Sequence, residues 1–203
     1  IDLGYIDSLD FKVNGDKVKW QFLNEQVDIS ELDLTKPLNP GDSITITTPF
    51  RVKIPSGKFS RLGHIGQSYQ ITQWFAKPAV FDKNGWHPMS YLDQGEFYSE
   101  FGNYDVSITV PKNYILMATG DLQNEEELEF LNEKAELTSQ LIKENNLPVR
   151  DSFGRKDMSF PKSSVEKKTL RFVQKNVHDF AWFTDKRYHV LKGELNVNNR
   201  KIT

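Results

Sequence analysis

Apolar and polar residues alternate along most of this chain, and the alternation is interrupted by turn residues at short intervals. From residue 1 to about Pro55 the run YIDSLDFKV is followed by Asn14-Gly15-Asp16 and then KVKWQF. An Asn-Gly pair between two alternating runs predicts a tight β-hairpin. VDISELDL alternates at Val27, Ile29, Leu32 and Leu34. KPLNPGD then supplies a Pro-Gly turn before SITITTPFRVKI, whose β-branched residues alternate with polar ones. The pattern predicts a meander of about four strands. A glycine-rich loop, SGKFSRLGHIG, leads into SYQITQWFAKPAVFDKNGWHPMSY, and a second β block follows at EFYSEFGNYDVSITVP and NYILMATGDL.

The period then changes. NEEELEFLNEKAELTSQLIKENN contains no Gly or Pro and opens with three glutamates, with apolar residues at Leu128, Leu131, Ala135 and Ile142. Asn124 suits the N-cap and the acidic first turn suits the helix dipole, so an amphipathic helix is expected on the surface of a β body. Leu147 to Lys168 reads as a polar, exposed insertion. TLRFVQKNVHDFAWF and YHVLKGELNV return to strand composition. In DFAWF, alternation places Phe180 and Trp182 together in the core with Ala181 opposite. The expected fold is one mainly β, antiparallel domain over 1–203, with a helical and loop insertion at about 124–168.

The chain has 203 residues, a formal charge of −2 and no cysteine. A balanced charge offers no basic surplus for phosphate contacts, so nucleic acid is a poor partner. Without cysteine there is neither a disulfide framework nor a thiolate metal site. No apolar run approaches the ~20 residues of a membrane-spanning helix. The start at Ile1, without an initiator Met or a leader pattern, and the strand-like end at NVNNRKIT suggest a piece of a longer polypeptide.

Motifs that carry chemistry are scarce. The four histidines, His64, His87, His178 and His189, never take the HExxH spacing of a zinc site. His178 and Asp179 are adjacent, and on a strand they would face opposite ways. No nucleophile elbow, phosphate loop, dinucleotide fingerprint or calcium loop is present. Glu96, Glu100 and Asp105 lie close along one β run and read as the solvated face of an edge strand. In the aromatic stretch, Tyr69, Ile71, Phe75, Val80 and Phe81 are expected to be core. Trp74, Trp86 and Tyr91 sit near turns, where exposed aromatics can build a sugar-binding face.

The runs QSYQITQWFAKPAVFDKNGWHPM, FYSEFGNYDVSITVPKNYILMATGDL and NVHDFAWF, in that order, resemble the amino-terminal domain of aminopeptidase N-like zinc metallopeptidases. This is the gluzincin family that includes leukotriene hydrolase, and the likeness is to Bacteroidetes-type members. It spans about Gly4 to Val197. The resemblance implies a saddle-like β domain, short of its first strands, that packs against a catalytic domain of the same polypeptide and takes a peptide substrate. Zinc would belong to that catalytic domain, and this chain alone would hold no metal and be inactive. A periplasmic or cell-envelope location is implied for such relatives, with the cytoplasm as the alternative. One role carries over: a Gln or Glu about twelve positions before the Asp of a PCFD-like turn holds the substrate's α-ammonium. Counting back from Asp82 gives Gln70; since Ala79-Val80 replaces the usual Pro-Cys, Gln73 is the fallback. Two other readings stand beside this one: a β-sandwich carbohydrate-binding module using Trp74, Trp86 and Tyr91, and a structural module without a ligand.

Overall fold

The computed structural model describes residues 3–24, 26–58, 61–91, 98–144, 159–198 and 200–202. In chain order the strands are β1 (Tyr5–Asp7), β2 (Lys12–Val13), β3 (Asp16–Lys17), β4 (Trp20–Leu23), β5 (Gln26–Leu32), β6 (Ile46–Thr47) and β7 (Arg51–Lys53). They continue as β8 (Gly63–Ile65), β9 (Ser68–Ile71), β10 (Val80–Asp82), β11 (Gly85–His87), β12 (Gly102–Pro111), β13 (Ile115–Ala118) and β14 (Asp121–Leu122). A single described helix, α1 (Glu125–Lys143), precedes β15 (Lys167–Val177), β16 (Trp182–Asp185), β17 (Leu195–Val197) and β18 (Arg200–Ile202). The fold is mainly β, every pairing is antiparallel, and the chain divides into two compact units.

The first unit comprises Ile1–Ser56 and Trp74–Phe101. Its Asn14-Gly15 turn joins β2 to β3 with positive φ at both residues (51° and 92°), as a type I′ hairpin requires. The Pro40-Gly41 turn closes through Asp42 N–H donating to Asn39 O at 3.0 Å, with Gly41 at φ +89°. The strands do not form the expected meander. β2 pairs with both β3 and β6, β4 pairs with β5, and β1 pairs with β7. The expected single strand SITITTPFRVKI is broken at Thr48–Phe50, where Thr48 Oγ1 accepts the Asp10 N–H at 2.9 Å and Pro49 has no N–H to give. Two short strands on different partners result.

The second unit comprises Gly57–Gln73 and Gly102–Thr203. One sheet has the order β13-β16-β9-β8 and another the order β12-β15-β14. Along β12 the inward residues Ile108 and Val110 are buried while Ser107 and Thr109 are exposed, and on β15 Leu170 and Phe172 are buried. These residues, with Ile71, Tyr114, Ile115, Leu116, Ala135 and Phe180, make the core.

The helix forms over the expected residues, but its buried face is rotated from the predicted one. Glu127, Ala135 and Thr138 are buried, whereas Leu128 and Ile142 are exposed. The reason lies in Asn124. Its side chain does not cap α1; Oδ1 instead accepts the Arg171 N–H at 2.8 Å and Nδ2 donates to Thr169 O at 3.3 Å. Only its backbone carbonyl enters the helix, accepting from Glu127 and Leu128. Asn124 thus pins the first turn to β15, and Glu127 turns inward to Lys168 Nζ at 2.6 Å.

Other sequence expectations shift for local reasons. Phe180 is fully buried but lies before β16, and Trp182, on the strand, is only half-buried. Ala181 is half-buried, and its backbone is paired with Thr119: its N–H donates to Thr119 Oγ1, and its carbonyl accepts the Thr119 N–H. His178 and Asp179 lie in the bend after β15, so strand alternation does not separate them. YHVLKGELNV is strand only at Leu195–Val197. Of the insertion expected at 147–168, residues 147–158 lie outside the described set, Ser159 to Glu166 are coil, and Lys167 and Lys168 open β15.

The stretch after 158 is clasped by two cations. Lys186 Nζ donates to Gln67 Oε1, Pro161 O and Ser163 Oγ, and the Arg187 guanidinium lies 3.6 Å from the Phe160 ring centroid. Arg187 is held in turn by buried Asp185, which accepts from its backbone N–H at 2.7 Å and its guanidinium at 3.1 and 3.2 Å. Burial alone would raise the Asp185 carboxyl, but the hydrogen bonds from Arg187 and Ser68 outweigh it and hold the pKa below the ordinary carboxylate value. A carboxylate depressed in the folded state stabilises fully above its unfolded pKa of about 3.9, and that contribution is lost as pH falls through the folded value. Asp185→Asn is therefore expected to lower stability at neutral pH, with the gap to wild type closing below about pH 4. Urea titrations of both proteins across pH 2–7 read this directly, and a gap independent of pH would refute it.

Candidate functional site

Gln70 lies on β9, flanked by β16 on one side and β8 on the other. Directly opposite it stand Phe183 on β16 and Gly63 on β8, and Phe183 in turn faces Met117 on β13. Residues opposite one another across antiparallel strands share a face, so Gly63, Gln70, Phe183 and Met117 form one row across the sheet. The rows on either side explain the orientation. Ile71 and Thr184 are buried on the other face, as is Leu116, which stands opposite Thr184 on β13. Gln70 is half-buried, while Phe183 and Met117 are 41% and 50% exposed. Gly63 contributes no side chain beside Gln70, and a Cβ on Gly57 would come within 3.4 Å of Gln70 Nε2. The row therefore combines one amide with two accessible apolar side chains on a paired sheet.

Gln73 sits differently. β9 ends at Ile71, and Gln73 lies in a bend with φ +52°, so strand alternation does not fix its direction relative to Gln70. The two glutamines are therefore not related by strand alternation. Phe183 and Met117 were missed because nothing in the sequence shows which strand lies beside β9; only the pairing with β16 brings them to Gln70.

In the first unit the aromatic expectations divide. Val80 is buried and Phe81 is 64% exposed, because β10 turns Phe81 onto the outer face, where it meets Trp86 of β11 at 4.9 Å between centroids. Phe81 is thus not a core residue. Trp86 is 66% exposed, whereas Trp74 is half-buried against Phe50 and Phe75, at 6.0 and 5.2 Å. Tyr91 is exposed, with its N–H donated to Asp28 Oδ2 at 2.8 Å. Within the second unit, Tyr69 is half-buried and stacks on His64 at 5.8 Å; in the first, Phe75 is half-buried.

Charged groups pair locally. On the β10–β11 hairpin His87 Nε2 lies 2.9 Å from Asp82 Oδ1, and this close contact, with the Asn84 N–H donating at 2.7 Å, holds the Asp82 pKa down. Asp105 accepts both arms of Arg171, at 2.7 and 2.6 Å, which lowers its pKa. It is therefore an ion-pair partner across β12 and β15. Glu96 lies outside the described residues, and Glu100 is exposed in coil. Among the described residues no three His, Asp or Glu side chains converge as a metal site, and no helix is long and apolar enough to cross a membrane. No family model matches the chain, and neither a curated protein nor a solved structure is significantly similar to it.

Proposed function

We propose that this chain is the non-catalytic amino-terminal β domain of an aminopeptidase N-like metallopeptidase. In this reading it packs on a zinc-bearing catalytic domain of the same polypeptide and offers Gln70 to the α-ammonium of a peptide substrate. The ordered resemblance of three segments supports it, and the observation that carries the site is the row joining Gln70 to Phe183 and Met117. An ammonium needs oxygen acceptors, and the side-chain carbonyl of a glutamine on a paired strand supplies one in a fixed direction. The adjoining apolar side chains suit the first residue of a peptide whose amine is held at Gln70. The zinc of the catalytic domain would supply the hydrolytic chemistry; the part of this chain is to bind and orient.

In the full-length polypeptide, Gln70→Ala is expected to lower kcat/KM for aminoacyl-anilides by about 1.5–3 kcal/mol, through both KM and kcat. A misplaced amine displaces the scissile carbonyl, and small displacements are costly in rate. Gln70→Glu should retain most activity, and Gln73→Ala should have a small effect. Steady-state kinetics of the three variants decides the matter. A large loss at Gln73 with none at Gln70 would move the role, and no loss at either would leave a scaffold without a substrate contact.

The exposed Trp86–Phe81 pair favours a second reading, a carbohydrate-binding module that stacks a sugar ring on Trp86. Glycan-array binding abolished by Trp86→Ala would support it over the first.

A further inference from the structure

β12 lies at one edge of the β12-β15-β14 sheet, and its hydrogen-bonding parity follows from the register. Just past β12, the Lys112 N–H donates to Glu166 O at 2.8 Å, so Lys112 directs its backbone toward the chain leading into β15. In an antiparallel ladder that orientation repeats every second residue. Val110, Ile108 and Val106 therefore bond to Lys168, Leu170 and Phe172, their register partners. The far side of β15 agrees: Arg171 directs its carbonyl to Gln123 N–H and its N–H to Asn124 Oδ1, away from β12. Asp105, Ser107 and Thr109 consequently point their N–H and C=O groups outward. No described residue hydrogen-bonds to those groups.

Sheet edges are usually blunted by lysines, a central proline, inward-pointing charges or a bulge. Between Asp105 and Val110 this edge has none of them. The bulge at Gly102/Tyr104 and Pro111 stand at its two ends, and the register between them is unbroken. Its side chains also sort by face. Ile108 and Val110 are buried, Val106 is half-buried, and Ser107 and Thr109 are exposed. We infer that the outer edge of β12, from Asp105 to Val110, is a strand-addition site for an extended peptide segment whose apolar residues alternate with polar ones. Main-chain pairing to Asp105, Ser107 and Thr109 supplies the attachment, and the apolar positions continue the layer of Ile108 and Val110. The added strand extends an existing ladder, β14-β15-β12, by one member. A second copy of the chain is a poorer occupant. Pairing two such short edges about Ser107 buries a strip well below the roughly 1,200 Å² of a stable interface. This inference is independent of the metallopeptidase reading.

The experiment pans the whole chain against a phage-displayed library of random dodecapeptides, then measures synthetic versions of the selected peptides by fluorescence anisotropy. Peptides with alternating apolar residues are expected. Ser107→Pro removes an outward N–H without touching the β15 ladder and should weaken binding at least tenfold, as should Thr109→Pro, while Ser107→Ala leaves it unchanged. Folding of each variant is checked by circular dichroism. N-methylating alternate residues of a selected peptide tests the pairing without altering the protein, and one of the two alternations should abolish binding. The inference is overturned if no alternating consensus emerges, or if N-methylation has no effect. It is also overturned if folded proline variants bind normally, or if wild type forms a concentration-dependent dimer that Ser107→Pro abolishes.

Discussion

Truncating Phe180 to alanine is expected to destabilise the second unit by about 3–5 kcal/mol, the range for a large aromatic removed from a closed site. The ring is 0% exposed and stands 5.9 Å from that of Tyr104, so the deletion leaves a void between the bend after β15 and the start of β16. The backbone there is also tied down, since the Phe180 N–H donates to Asp179 Oδ1 at 2.8 Å, and collapse into the void is restricted. Of the four tryptophans only Trp182 belongs to the second unit, so the native near-ultraviolet signal at that residue follows its unfolding. Trp182→Ala, at a half-buried position, should cost less than Phe180→Ala. Chemical denaturation followed by far-ultraviolet circular dichroism compares the two, and a cost under about 1 kcal/mol at Phe180 would mean that the site repacks freely.

The ion pair under α1 should give an effect of similar size. Lys168 Nζ and Glu127 Oε1 are 2.6 Å apart, with side chains 14% and 7% exposed, and the ammonium also lies 4.7 Å from the Phe130 ring centroid. Removing one member strands the other charge away from water, which costs about 3–5 kcal/mol, whereas replacing both by apolar groups of similar volume is often near neutral. Lys168→Met should therefore be strongly destabilising, and adding Glu127→Leu should recover most of the loss. If the double variant were as unstable as the single one, the pair would be contributing more than mutual neutralisation.

Local chemistry explains which features the sequence makes legible. The Asn14-Gly15 hairpin could be read because the turn needs positive φ at two successive residues and the pair supplies it. The helix could be read from its composition and acidic first turn, yet its buried face could not. That face depends on Asn124 finding partners on β15, 45 and 47 residues further along the chain. Val80 and Phe81 are equally apolar, and only the pairing of β10 with β11 decides which of them meets water. At the candidate site, Gln70 came from a resemblance, whereas Phe183 and Met117 depend on a strand order that no local pattern encodes.

The strand order also governs when the second unit can form during synthesis. Ser68–Ile71 finds one of its two neighbours in Trp182–Asp185, and Gly102–Pro111 finds its long partner in Lys167–Val177. A nascent chain that has emerged only through the helix can pair β8 with β9, but it lacks β16, which joins β9 to β13, and β15, which joins β12 to β14. Pairings so distant along the chain are slow to close and leave apolar strands uncovered until they do. The ribosome must therefore deliver nearly all of this unit before any large part of it becomes stable, since Trp182–Asp185 alone bridges Ile115–Ala118 to Ser68–Ile71.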